Sequence, residues 1–184
     1  MKREILERYE RSNDESIIIN IAADRIEDLY NDFDKKSDFL KKDLNEELVN
    51  YIIESVEEID KERFVIHFSL EVAADESDRE RVGRSINRFF LYYKELEHKK
   101  MQEMIRTSII LLLIGVVVAT FSVIMNQSES VQQSVLLGVI AEGLTIAAWV
   151  SIWEALATFL IKWRPIRKKI KLYEKIANAK LFFT

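Results

Sequence analysis

Two apolar runs decide most of what this chain can fold into. From Thr107 to Ser128 there is no ionisable side chain, and Ile109–Met125 is almost purely apolar. At ~1.5 Å of rise per residue, a helix over this run covers the ~30 Å of a bilayer's hydrocarbon. The second run, Val135 to Ile161, is interrupted only by Glu142 and Glu154. It is longer than one span needs, so it is expected to tilt or to extend past the hydrocarbon. Asn126–Ser134 between them is short and polar, which makes the two helices antiparallel neighbours.

Charge is partitioned around these runs. Residues 1–106 carry 27 acidic and 19 basic side chains, whereas 162–184 carry eight basic residues against Glu174 alone. His98, Lys99, Lys100 and Arg106 precede the first run, and Lys162, Arg164, Arg167, Lys168 and Lys169 follow the second; the turn between has no Lys or Arg. The positive-inside rule then puts both termini in the cytoplasm of a multi-pass protein of the cell (inner) membrane. The densely charged Met1–Glu15 has no apolar core of a cleavable leader. With no cysteine, disulfides, thiolate metal sites and cysteine nucleophiles are excluded.

Outside the runs, periodicity predicts a small α+β unit. Ser16–Ala22 is rich in β-branched residues, and Phe64–Glu71 alternates apolar and polar, so both are expected as strands. Leu181–Phe183 is expected as a third, short strand. Asp24 is expected to cap a helix to about Phe33, and Asp43 another to about Ile59. Val82, Ile86, Phe89, Tyr93 and Leu96 recur at helical spacing, and nothing helix-breaking follows before the first apolar run. One rod from about Asp78 to Met125 is therefore predicted, its stripe packing on the domain's sheet or pairing subunits as a coiled coil. Pro165 is expected in the first turn of a new helix, whose stripe Ile166, Ile170, Tyr173 and Ile176 lies on the membrane surface or folds back onto the acidic domain.

The fold class expected is thus a membrane α-helical hairpin, two transmembrane helices, plus a small cytoplasmic α+β domain, with a long helix running continuously into the first span. The divisions are a domain over 1–77, an amphipathic connecting helix over 78–106, spans over 107–126 and 135–162, an external turn over 127–134, and a basic tail helix with terminal strand over 163–184.

Few residues invite a chemical reading. Glu142 and Glu154 are ionisable groups within a span, which normally face protein or water. They are expected either as hydrogen-bonded structural carboxyls, as groups near enough to the headgroups to be wet, or as members of a proton or cation path. Gly143, Ala147, Ser151 and Ala155, at four-residue steps, and Gly115 with Ala119, are expected to let helix backbones approach closely. Lys162, Arg164, Arg167, Lys168, Lys169 and Lys171 suit anionic lipid headgroups better than nucleic acid, because they directly follow a span. The acidic run Asp32–Asp38 lacks the turn glycine and terminal glutamate of a calcium loop, and His67 and His98 lack metal-ligand spacing. No catalytic constellation and no cofactor motif is present, so catalytic, cofactor and metal residues are all expected to be none.

The pattern Trp149-x3-Trp153-Glu154-x8-Trp163-Arg164-Pro165-Ile166, with Arg167-Lys-Lys and Leu172-Tyr173, resembles a family of small two-span prokaryotic membrane proteins. Asp28-Leu-Tyr-Asn-Asp-Phe-Asp34, Lys42-Asp-Leu44 and Tyr51-Ile52 resemble that family's soluble region, although Lys35-Lys36 stands where the family has a proline-containing turn. The resemblance implies the architecture and no activity.

The function expected is that of a membrane-anchored, non-enzymatic interaction or scaffold protein. Its partners are the bilayer's anionic headgroups, its own copies as a homo-oligomer, and a cytoplasmic protein. The alternative is a small homo-oligomeric proton or cation channel using the intramembrane glutamates. Single cysteines at Ser77 and Ser130 of this cysteine-free chain should label from opposite sides of the membrane with an impermeant maleimide. Labelling of both from the outside would refute the orientation.

Overall fold

The computed structural model describes residues 6–31 and 44–184. Along the chain run β1 (Ile17–Ala23), a 3-10 turn (Ile26–Leu29), α1 (Glu46–Ile59), β2 (Phe64–Leu70), α2 (Glu76–Asn126), α3 (Glu129–Gln133), α4 (Val135–Ala177) and β3 (Lys180–Phe183). The protein is mostly helical, with two long apolar helices that could span a membrane and a small three-stranded sheet. Its residues form two compact units, one drawn from the chain up to Glu95 together with Lys169–Thr184, the other from Leu96–Lys168.

In the sheet unit the strand order is β1-β2-β3 and both pairings are parallel. Parallel neighbours need a crossover, and a helix-bearing connection supplies each one. The expected α+β unit is therefore, more specifically, a parallel sheet with interleaved helices. Ile17, Ile19 and Ile21 of β1 lie in register with Phe64, Ile66 and Phe68 of β2. These side chains share a face, and all but the half-buried Phe64, which packs against them, join Val49, Ile52, Val56 and Ile59 of α1 in one buried cluster. Val82, Ile86 and Phe90 of α2 and Leu172, Tyr173 and Ile176 of α4 complete it.

The stripe on α2 thus packs on its own sheet. The tail of the chain folds back into the same core: Asn87 Nδ2 donates to the Ala177 carbonyl at 2.7 Å, and Lys94 Nζ meets Glu174 Oε1 at 2.8 Å. Lys175 Nζ reaches the Asp60 carbonyl at 2.6 Å. Asp60 ends α1 with φ 57° and ψ −98°, a positive-φ conformation outside the left-handed helical well that L-residues rarely adopt. The N-terminal segment is tied on by Tyr9, whose hydroxyl donates to Glu58 Oε2 at 2.8 Å; burial pushes this phenol above its ordinary pKa.

Three local expectations are corrected. The helix expected from Asp24 is a four-residue 3-10 turn, because Tyr30 leaves it extended to bridge Leu44, and Asp28, not Asp24, closes the turn by accepting from the Arg25 N–H. Helix α1 is capped by Asn45, whose Oδ1 accepts from the N–H groups of Glu47 and Leu48. Asp43, Phe33 and the Asp32–Asp38 run lie outside the described residues. Pro165 sits inside α4 and does not begin a new helix. It removes one backbone hydrogen bond, while the flanking turns carry the helix through.

Ile176 is 1% exposed. Ile176→Ala should lower the stability of the full chain by about 2–5 kcal/mol, read by thermal unfolding in detergent. A change under about 0.5 kcal/mol, the size of an ordinary surface substitution, would mean the tail is not part of the core.

Candidate functional site

The hairpin unit holds the residues the sequence singled out, apart from Lys169 and Lys171. Its two helices meet along a narrow seam. The buried positions of this unit on α2 are Glu97, Met104, Ser108, Gly115 and Ser122; on α4 they are Ala141, Ala148, Ala155 and Thr158. Ala141, Ala148 and Ala155 recur every seven residues, the spacing of one side of a helix packed at a shallow angle on another. Gly115 is the tightest point. A Cβ there would stand 2.7 Å from Ile152 Cγ1, 3.1 Å from the Ile152 nitrogen and 3.2 Å from the Ala148 oxygen. Ser122 Oγ donates to the Ala141 carbonyl at 3.0 Å and pairs with Thr145 Oγ1, while Asn126 Nδ2 donates to the Ser122 carbonyl. Ser108 Oγ is buried without a hydrogen-bond partner among the described residues.

Of the small residues at four-residue steps, the seam takes Gly115 and Ala155, with Ala119 half-buried beside it. Gly143 has nothing within 4 Å of where a Cβ would stand, and Ala147 is exposed. Ser151 is half-buried and donates to the Ala147 carbonyl at 2.9 Å. The close-approach residues of α4 are therefore Ala141, Ala148 and Ala155.

Glu142 and Glu154 both lie on the outside of the hairpin. Glu154 Oε1 accepts from Thr158 Oγ1 at 3.4 Å, and Glu142 makes no hydrogen bond or ion pair among the described residues. Trp149 and Trp153 are 68% and 73% exposed on the side of α4 that carries Glu142. At ~1.5 Å per residue the two carboxyls stand about 9 Å to either side of the middle of 135–162. At the basic end of the run, the Arg167 guanidinium lies 4.9 Å from the Trp163 ring centre, and Trp163 stacks on Phe159. Lys162, Arg164 and Lys168 are exposed there. Lys169 and Lys171, also exposed, belong to the sheet unit.

The sheet unit brings together a second constellation that spacing along the chain did not reveal. On the face opposite the core, Asn20 Nδ2 donates to Glu10 Oε2 at 3.1 Å, and Asn20 Oδ1 pairs with His67 Nδ1 at 3.0 Å. His67 Nε2 meets Thr184 Oγ1 at 2.7 Å. Because the Asn20 amide nitrogen serves Glu10, its oxygen is the acceptor. His67 Nδ1 therefore carries the proton, and in neutral imidazole Nε2 accepts from the Thr184 hydroxyl. A hydroxyl, an imidazole and a third group in this order could form a proton relay. Here the third group is a neutral amide, which orients the ring. The row ties three strands together. Its members are separated by 47 and 117 residues, so only the parallel register unites them. Among the described residues, no group of three His, Asp or Glu side chains is placed to hold a metal ion.

Compared with protein-family models, with curated proteins and with solved structures, the chain has no match in any of the three.

The seam makes a sharp distinction between two glycines. Gly115→Ala forces the helices apart and should cost about 1–3 kcal/mol. Gly143→Ala meets open space and should leave stability unchanged or raised by up to about 1 kcal/mol through helix propensity. Thermal unfolding of both variants in detergent checks the pair; equal losses would refute the seam.

Proposed function

We propose that this chain is a membrane-anchored, self-associating scaffold. The α2–α4 hairpin inserts in the bilayer, and the sheet unit is held at the cytoplasmic surface for interaction with other copies or another protein. One observation carries this reading. Within the most apolar windows of α2 and α4, only 17% and 11% of residues are buried. A soluble core helix of such composition would be mostly covered. Ile109, Leu113, Val117, Ile124, Val139, Ile146 and Leu160 instead face outward. Side chains of this kind are stable in hydrocarbon, and each left in water forfeits roughly 1.5–3 kcal/mol.

The basic residues Lys162, Arg164, Arg167, Lys168, Lys169 and Lys171 fit the anionic headgroups of the cytoplasmic leaflet, at about 1 kcal/mol for each charge near the surface. Trp163 beneath Arg167 suits the same interfacial layer. Self-association follows from the outward carboxyls. On insertion scales an acidic side chain costs about 2.5–3.5 kcal/mol at the centre of a span, and less at the positions of Glu142 and Glu154 on either side of it. The hairpin's own seam leaves Glu142 without a partner, and a neighbouring copy supplies polar company that lipid tails lack.

The same observation favours one alternative, a homo-oligomeric path for protons or cations lined by Glu142 or Glu154. Reconstituted liposomes separate the two. For the scaffold, Glu142→Gln and Glu154→Gln keep hydrogen-bonding capacity, so oligomer state and thermal stability change little and wild-type vesicles show no flux above empty ones. Robust wild-type flux that disappears in an assembled Glu142→Gln or Glu154→Gln protein would establish the channel. Release of the full chain from membranes by alkaline carbonate would remove both readings.

A further inference from the structure

The two edges of the sheet are treated differently. The outer edge of β1 is closed at its start by the chain's own N-terminal segment: the Ile18 N–H donates to the Glu10 carbonyl at 2.9 Å, and the Ser12 N–H to the Ser16 carbonyl at 2.8 Å. The outer edge of β3 has no strand beside it among the described residues. The Thr184 N–H donates to the Phe68 carbonyl and the Leu70 N–H to the Thr184 carbonyl, so even-numbered residues of this segment bond inward to β2. By the alternation of a strand, Leu181 and Phe183 aim their N–H and C=O groups outward. An edge of this kind is a template for another strand, and within β3 itself Lys180 is the one charge. Beside it runs an open groove lined by Glu76, Arg79, Glu80, Gly83 and Arg84 of α2.

We propose that β3 is a dimerisation strand, pairing antiparallel with β3 of a second copy about a two-fold axis through Phe182, to give one continuous six-stranded sheet. The register is self-complementary. With Phe182 on the axis, Leu181 of each copy faces Phe183 of the other, and these are the residues whose backbone groups point outward. Each such pair exchanges two backbone hydrogen bonds, and an isologous contact uses every one of them twice. Phe182, 51% exposed on the face opposite the core, then meets its own symmetry mate as a cross-strand aromatic pair. Leu181 and Phe183 of the second copy continue the core face beside the groove, whose Gly83 is touched by the chain's own Leu181. Anchoring in one bilayer concentrates the strands and favours the pairing. This inference rests on the self-association proposed above and gives it a surface of its own, independent of the glutamates.

Oxidative cross-linking of the purified full chain tests it, because the native protein has no cysteine. On the axis, position 182 is a non-hydrogen-bonded pair with Cα atoms about 4.5 Å apart, within disulfide range. Position 180 lies about 14 Å from its mate, beyond that range. Phe182→Cys should form disulfide dimer at least tenfold faster than Lys180→Cys, and Phe182→Lys should lower the oligomer fraction measured by light scattering. Equal or absent cross-linking in a protein that light scattering shows to be oligomeric would overturn edge pairing and leave self-association standing. A wild-type protein monomeric at all concentrations would overturn both.

Discussion

The pairing of β3 with β2 is the contact on which the rest depends. Lys180–Phe183 lies in parallel register with Val65–Phe68, although the two strands are more than a hundred residues apart in the chain. Closing so long a loop is entropically costly, but the cost grows only with the logarithm of loop length. Two long helices joined by a short turn carry most of the intervening chain in ordered form. Once β3 is seated, Phe183 stacks on Phe68 with ring centres 5.2 Å apart, and Thr184 reaches His67. The end of α4 then contributes Leu172, Tyr173 and Ile176 to the core. Without it, Phe90 and Tyr93 of α2 would lose the Tyr173 ring they pack against.

This arrangement gives the sheet unit an unusual economy. Its three strands are parallel, and parallel sheets are ordinarily covered on both faces. Here the apolar cluster occupies one face. The other carries the row Glu10, Asn20, His67 and Thr184, which supplies polar groups with partners without a second layer. Such a sheet is tolerable because it is small and because its exposed face is hydrogen-bonded from strand to strand.

The hairpin unit follows a different rule. Its seam is built from small residues and hydroxyls: Gly115 against Ile152 and Ala148, and Ser122 against Ala141 and Thr145. Close backbone approach and side-chain hydrogen bonds are what hold helices together in lipid, the setting proposed for this hairpin. The large apolar side chains are accordingly on the outside, which is the reverse of the sheet unit.

The sequence by itself determined the elements whose signal is local. The uncharged run from Thr107, the alternation of Phe64–Leu70, and the stripe Val82, Ile86, Tyr93 each follow from periodicity, and the matching helix or strand is present within a residue or two. Sequence could not decide matters that depend on which distant segments meet. Four-residue steps of small residues on α4 were plain, yet two equivalent stripes exist, and the side that faces α2 is fixed by where Gly115 permits contact. The cap of α1 passed to Asn45, and the expected first helix gave way to a turn, because the Tyr30–Leu44 bridge outweighs local helix propensity. Likewise His67 was a solitary histidine until the parallel register set Asn20 on one side of it and Thr184 on the other. Periodicity is a property of neighbours along the chain, whereas register, seam and edge are properties of neighbours in space, and only the tertiary structure supplies those.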